Sequence, residues 1–211
     1  MRHAFAHEET GRGLQRPCHP ILCGLNLLGL AITMLLLANY KPNLVVATLP
    51  IIIVGVYVVS CTYHWLPYNN FWHKADHQMI VVLTGGTFVS YWYTLLPASE
   101  MLWRLPLLVG LTIAVCVFRW FCFKRHAIGG ALYLALAAFP LTTSFNELQV
   151  WLPPLGLAAF WLGILCYFIN FVIHASQKPD PIPEFFGYRE TQHIFVLAGT
   201  TLQAWVAVKY L

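Results

Sequence analysis

The sequence predicts an all-α polytopic membrane protein, built as a bundle of seven transmembrane helices. Two observations predict this fold class. First, 59% of the 211 residues are hydrophobic and only 9% are charged, whereas a soluble domain carries about 25% charged residues. Second, the apolar residues fall into seven runs of about 20 residues, the length that crosses a bilayer as a helix. We expect a cytoplasmic N-terminal tail over residues 1–18 and one seven-transmembrane domain over residues 19–211.

Short segments rich in turn-forming residues separate the seven runs. Breaks such as NYKPN, LPYNN and LPASE contain the Pro, Asn and Ser that end helices, and the longest break, SQKPDPIPEFFGY, contains three prolines. Small residues inside the runs, such as Gly85 and Gly86, allow helices to pack closely in lipid. No small-residue cleavage site follows the first run, so we expect it to remain as a membrane anchor. The predicted spans are 20–40, 44–66, 74–96, 101–123, 126–145, 150–174 and 190–210.

The distribution of Lys and Arg predicts the orientation, because these residues concentrate in cytoplasmic loops. The N-terminal side of the bundle carries nine of them and the opposite side carries three. We therefore expect an integral protein of the cell membrane or bacterial inner membrane, with its N-terminus in the cytoplasm and its C-terminus outside. The nine are Arg2, Arg12, Arg16, Lys74, Arg119, Lys124, Arg125, Lys178 and Arg189, and the three are Lys41, Arg104 and Lys209.

The charge pattern gives no sign of nucleic-acid binding, and the cysteine pattern gives none of disulfides or a thiolate metal site. The net charge of +4 comes from singly spread basic residues, without a basic patch interleaved with aromatics, so no nucleic-acid partner is indicated. The six cysteines form no CxxC pair and fall mostly in apolar runs. We interpret them as small buried hydrophobic residues rather than as disulfides or thiolate ligands.

All nine histidines are predicted to lie at the cytoplasmic side of the bundle. Two of them, His64 and His193, lie inside apolar segments rather than in loops, and Asp76 is the one acidic residue of the first five segments. Ionisable groups inside a membrane are rare and face the bundle interior, where each needs a partner. The histidines are His3, His7, His19, His64, His73, His77, His126, His174 and His193.

The stretch SCTYHWLPYNNFWHKAD predicts that three polar groups converge. Ser60 and His64 are four residues apart, so one helical face presents both, and the hairpin to the next span brings Asp76 to the same depth. Imidazole and carboxylate are ligands of zinc, and a catalytic zinc site uses three protein ligands and a water. His64 and His193 would supply two of these ligands. The alternative is that each histidine is a lone polar group satisfied by a neighbour.

These motifs resemble the hemolysin III family, relatives of the progestin and adipoQ receptors, and more distantly the alkaline ceramidases. SCTYH supplies Ser60 and His64, and ADHQMIVVLTGGTF supplies Asp76. ALYLALAAFPL is similar to the fifth helix of the family, and GYRETQHIFVLAG matches the last helix at His193. The resemblance implies seven helices and a zinc ion held by three histidines near the cytoplasmic face. It also implies that Asp76 and Ser60 surround the water bound to that ion.

One position departs from the family pattern. The family has a second histidine four residues before His193, and this chain has Arg189 there. A guanidinium stays protonated and has no lone pair to offer a metal. Three residues are alternatives for the third ligand, namely Glu190, His174 and Asp76. A further alternative is a metal-free site in which Arg189 pairs with Asp76.

The sequence is consistent with two functions, and it favours a third, transport, less. The first is a zinc-dependent intramembrane hydrolase of a lipid amide or ester, in which Asp76 accepts a proton from water and Ser60 hydrogen-bonds the reacting groups. The second is a non-catalytic membrane receptor or sensor with a degenerate metal site. A transporter would need polar residues along the full depth of several helices, whereas the ionisable residues here crowd one side.

Overall fold

The computed structural model describes residues 20–40, 43, 46–67, 69–123, 125–182 and 186–211. The predicted tail, residues 1–18, lies outside the described residues, as do His3, His7 and His19. Over the described part of the chain the structure consists of eight α-helices, and the all-α prediction is confirmed. They are α1 Pro20–Asn39, α2 Thr48–Trp65, α3 Asn70–Leu95, α4 Ala98–Phe121, α5 His126–Thr143, α6 Phe145–Trp151, α7 Pro154–Ser176 and α8 Tyr188–Tyr210.

Local sequence explains several helix ends. The Asn69 side chain accepts a hydrogen bond from the backbone N–H of Phe71 at 2.8 Å, so it caps the N-terminus of α3. Pro97 and Pro153 immediately precede α4 and α7, positions where the missing N–H costs nothing. Gln177, with φ 54°, ends α7 in the left-handed conformation, a common way to stop a helix.

Within the described residues, four helices, or five if one bent pair is a single span, have the length and apolarity to cross a bilayer, so membrane-spanning helices are confirmed and the count of seven is not. The helices α1, α2, α4 and α7 are long and apolar enough to cross a bilayer. Residues Ile128–Thr143 and Phe145–Trp151 would form a fifth span if taken together, although they meet at a 55° bend. The sequence predicted a turn at SFNEL, and the chain is instead helical again from Phe145 onward.

The helices α3 and α8 are more polar because their polar side chains lie inside the bundle. Gln203 of α8 is fully buried; its Nε2 donates to the Phe160 carbonyl at 3.0 Å, and its Oε1 accepts from the Tyr91 hydroxyl of α3 at 2.9 Å. The Tyr57 hydroxyl of α2 hydrogen-bonds Thr200 of α8. These pairs satisfy buried polar groups that would otherwise cost free energy, and they join α8 to α2, α3 and α7.

Close contacts between helices depend on small residues, as two glycines illustrate. Gly199 of α8 faces the ring of Tyr167 in α7 so closely that an added Cβ would lie 2.7 Å from Cε1. Gly86 of α3 likewise faces the side chain of Ile52 in α2. The helix pairs α7–α8 and α2–α3 therefore approach more closely than larger residues would permit, and α8 also packs on α1. This packing fixes the ends of α1, α2, α3 and α8 beside one another.

Candidate functional site at the histidine end of the bundle

We call one end of the bundle the histidine end: α2 and α7 finish there, at Trp65 and Ser176, and α3 and α8 begin there, at Asn70 and Tyr188. Ser60 lies at its centre and is buried. Its Oγ accepts a hydrogen bond from the Asn26 Nδ2 of α1 at 3.3 Å and lies 3.4 Å from the His193 Nε2 of α8. The Asp76 carboxylate of α3 also hydrogen-bonds Ser60. Four helices therefore contribute to one polar cluster.

The imidazole rings of His64 and His193 face each other in this cluster. Their centroids are 5.0 Å apart and their planes meet at 71°. His193 Nδ1 lies 2.8 Å from the backbone carbonyl oxygen of Arg189. A carbonyl oxygen only accepts, so Nδ1 carries the proton and the lone pair of neutral His193 lies on Nε2. The hydrogen bond from Nδ1 to the Arg189 carbonyl orients the His193 ring so that Nε2 points toward Ser60.

Counting protons shows that the cluster is rich in acceptors. The Ser60 hydroxyl has one proton, and both the Asp76 carboxylate and the His193 Nε2 lone pair are acceptors for it. Asn26 donates to the Ser60 oxygen, so the hydroxyl both accepts and donates within the cluster. The hydrogen bonds therefore hold the Asp76 carboxylate and the His193 ring on either side of Ser60.

The side chains of Arg189, Glu190 and His174 each have a partner outside the polar cluster. The Arg189 Nε donates to the Tyr188 hydroxyl at 3.3 Å, and its guanidinium lies 5.8 Å from the centre of that ring. The Glu190 carboxylate accepts from the Gly187 N–H at 2.8 Å, which caps the first turn of α8. The His174 ring lies 6.0 Å from that of His77. His174 thus belongs to a neighbouring group of histidines.

An apolar cavity of about 190 Å³ adjoins the polar cluster. It lies between α2, α3, α5, α7 and α8, and it is larger than the roughly 150 Å³ engineered cavity that accommodates benzene. Three lining residues each stand one helical turn from a cluster residue: Val56 from Ser60, Ile80 from Asp76, and Val196 from His193. One turn is about 5.4 Å of helix rise. This apolar chamber therefore reaches to within about one helical turn of the polar cluster along three helices, while the cluster residues themselves do not line it.

The polar cluster contains two imidazoles, a ligand type that zinc binds. Two imidazoles bound to one tetrahedral zinc at Zn–N of about 2.0–2.1 Å have ring centroids about 5 Å apart, and the His64–His193 separation of 5.0 Å agrees. Among the described residues, no three His, Cys, Asp or Glu side chains are placed to enclose a metal ion. The same separation and the 71° angle are also those of an ordinary edge-to-face ring pair, and Asp76 is joined to His193 through Ser60.

Comparison with known families agrees with the sequence motifs. A family model described as "Haemolysin-III related" matches residues 6–204, which is nearly the whole chain. This chain belongs to the haemolysin-III related family. Its apolar helices and this membership make it an integral membrane protein. No solved structure matches the chain, so the haemolysin-III fold described here rests on the chain's own helices.

Sequence reasoning missed one member of the cluster. Asn26 is 3% exposed in α1 and bonds directly to Ser60. The available signal was an amide inside an otherwise apolar span, since such a group in lipid needs an interior partner. The pairing of α1 with α2 was not readable from the sequence, and so neither was the partner of Asn26.

Proposed function

We propose that this haemolysin-III related protein is an intramembrane hydrolase that cleaves the amide or ester bond of a membrane lipid. The observation that supports the proposal is the position of the Ser60–Asp76–His193 cluster about one helical turn from residues that line an apolar chamber. A lipid whose acyl chain enters the chamber would present its carbonyl carbon to the cluster. The chemistry and the binding surface would then meet at one point, as catalysis by positioning requires.

The residues of the cluster have separable roles in this proposal. Asp76 accepts the proton of the attacking water, because it is a carboxylate among acceptors in an apolar setting. Ser60 holds Asp76 in place and presents its oxygen to the same water. Asn26 fixes the Ser60 rotamer by donating to Oγ, and so acts as a positioning residue. His64 and His193 would hold zinc, which when bound polarises a carbonyl and lowers the pKa of water to about 7.

We also propose that α3 and α8 cross the membrane as interior helices, which gives seven spans with α5 and α6 as one. At 26 and 23 residues they are about 39 and 35 Å long at 1.5 Å per residue, longer than the roughly 30 Å hydrocarbon core. Their polar residues pair inside the bundle, as Gln203 does with Tyr91. The excess of Lys and Arg then places the histidine end, and with it the cluster, at the cytoplasmic leaflet.

The test combines metal analysis with lipid hydrolysis on purified protein in lipid nanodiscs. We expect the wild type to contain zinc near one equivalent and to hydrolyse a lipid amide or ester. His193→Ala should lose most of both, and Asp76→Asn should lose hydrolysis while retaining at least part of the metal. His174→Ala is the matched control, because its ring lies beside His77, outside the cluster, and it should retain both. A wild type without stoichiometric metal would refute the hydrolytic mechanism.

A second candidate function is a lipid receptor or sensor that performs no hydrolysis. The observation that favours it is Arg189, which stands four residues before His193 and whose guanidinium cannot ligate zinc. In that case the cluster would bind the polar group of a lipid whose chain occupies the same chamber. Stability distinguishes the two functions. A structural or receptor role predicts that Asp76→Ala lowers the melting temperature, whereas a catalytic role predicts that it chiefly lowers turnover.

A further inference from the structure

A polar side chain in the wall of the apolar chamber lacks a hydrogen-bond partner among the described residues. Asn170 of α7 lines the chamber, and its amide makes no hydrogen bond within the described part of the chain. It lies six residues before the end of α7 at Ser176, about 9 Å inside that end. An amide has two N–H donors and a carbonyl acceptor, and leaving it unpaired in an apolar setting costs free energy. The chamber wall therefore offers a polar contact to a ligand.

The other polar side chains described in this wall are paired or enclosed. The Thr84 and Thr87 hydroxyls each donate to the backbone carbonyl one turn earlier, at 2.9 and 2.7 Å. The Tyr133 hydroxyl hydrogen-bonds Thr84. The Tyr167 hydroxyl has no partner among the described residues, but its oxygen is enclosed by protein. A buried water needs two to four polar partners, so a water at Asn170 would be poorly held and a ligand oxygen is the better partner.

The level of Asn170 in the bundle relates this contact to the polar cluster. The Tyr167 ring packs against Gly199 of α8, and Asn170 lies three residues nearer the histidine end of α7. Because α7 and α8 are antiparallel neighbours, Asn170 lies near the level of Val196, which also lines the chamber. Val196 is three residues, about 4.5 Å of helix rise, from His193. Asn170 is therefore level with the first carbons of an acyl chain whose carbonyl group reaches the cluster.

We propose that Asn170 selects a lipid whose acyl chain carries a hydroxyl group close to the carbonyl carbon. A hydroxyl both donates and accepts, so it pairs with either end of the amide, whereas a plain acyl chain leaves the amide unpaired. A site built to hydrogen-bond a hydroxyl discriminates against the analogue that lacks it. The scissile bond itself is not the partner, because it must lie at the polar cluster, one turn away. The inference rests on the proposed function for the direction of the chain, and it names the class of lipid that the hydrolase accepts.

Native mass spectrometry of the full chain in phosphatidylcholine nanodiscs tests this selection with three lipid amides. They are N-palmitoylethanolamine, its β-hydroxypalmitoyl analogue and its ω-hydroxypalmitoyl analogue, in which the hydroxyl lies at the far end of the chain. Binding is measured in the wild type and in Asp76→Asn, so that turnover does not obscure it. We expect the β-hydroxy amide to bind about fivefold tighter than the plain amide, the effect of one hydrogen bond. The ω-hydroxy amide should show no such preference.

Two variants assign the preference to Asn170. Asn170→Leu keeps the side-chain volume and should abolish the preference, and comparing two lipids on one variant cancels any loss of folded protein. Tyr167→Phe is the matched control, because it removes a hydroxyl whose oxygen is enclosed, and it should keep the fivefold preference.

Three results would overturn the proposal: a wild type without the preference, an equal preference for the ω-hydroxy amide, or equal losses in the Asn170 and Tyr167 variants. Hydrolysis of the three amides by the wild type is measured in parallel. A preference that Asn170→Leu abolishes, in a wild type that hydrolyses none of them, would support this selection and count against the hydrolase alone.

Discussion

Gln203→Leu tests whether α8 is an interior helix held by polar contacts. Gln203 is fully buried and makes two hydrogen bonds, to the Tyr91 hydroxyl and the Phe160 carbonyl. Leu has a similar volume, so the change removes the hydrogen bonds without opening a cavity. In water the added apolar surface would compensate, but in lipid it does not, because the surrounding tails are equally apolar. The loss of hydrogen bonds should therefore make Gln203→Leu less stable than the wild type.

The magnitude follows from the number of bonds lost. Interhelical hydrogen bonds in a membrane protein contribute about 0.6 kcal/mol each on average, so two bonds give a loss of about 1.2 kcal/mol. The Tyr91 hydroxyl retains a contact with the backbone carbonyl of residue 203, at 3.3 Å, so no larger penalty is expected. Tyr91→Phe removes the bond to the Gln203 side chain together with the longer contact to the backbone carbonyl, and since one hydroxyl proton serves both it should cost about 0.6 kcal/mol. In the double variant the shared bond is counted once, so the two losses should not add.

The assay is reversible unfolding in mixed detergent, which reports the free energy of unfolding. A parallel thermal melt should show a decrease of about 2–4 °C per kcal/mol for a chain of this size. Gln203→Leu at wild-type stability or above would refute the reasoning, as would fully additive losses in the double variant. Either result would mean that the polar contacts of α8 do not hold it against α3 and α7.

Three further changes test the close packing and the polar cluster. Gly199→Ala places a Cβ 2.7 Å from the Tyr167 ring. The overpacking costs about 1–3 kcal/mol, which outweighs the roughly 1 kcal/mol gain in helix propensity. Unfolding in detergent should therefore show a net loss of stability. Gly110→Ala has nothing within 4 Å, so the same assay should show a gain of up to about 1 kcal/mol. Asn26→Leu removes the donor to Ser60 and should lower lipid hydrolysis about tenfold, the effect of about 1.4 kcal/mol, at unchanged zinc content.

The helix positions were largely predictable because long apolar runs and turn residues are local signals. The start of α3 was placed too late, at residue 74, because Asn70 and His73 are polar. The helix begins at Asn70, where the Asn69 side chain supplies the cap. The segment after Ser144 was also misjudged. It has the composition of a turn, yet tertiary packing of the buried Leu148 favours a short helix.

The polar cluster was partly predictable from the chain alone. The four-residue spacing of Ser60 and His64, and the hairpin that follows, are local features that place Asp76 nearby. His193 was paired with His64 because both lie inside apolar segments at the same side of the predicted bundle, and the family resemblance pointed to the same residue. Nothing local relates the last helix to the second. The grouping of His174 with His77 and the bond from Asn26 depend on which helices are neighbours. A single sequence does not specify that pairing.

The same physical cause explains the low apolarity of α3 and α8 and the location of the candidate site. A helix that other helices surround does not need an apolar surface on every side, so it can carry polar side chains that pair inside the bundle. Asp76 and His193 lie on these two helices, at the end where Ser60 and Asn26 reach them from α2 and α1. Outer helices such as α4 face lipid along much of their length, and a carboxylate there would lack a partner. Two helices that an apolarity criterion misses thus carry the ionisable residues Asp76 and His193, while the apolar helices α1 and α2 supply Asn26 and Ser60.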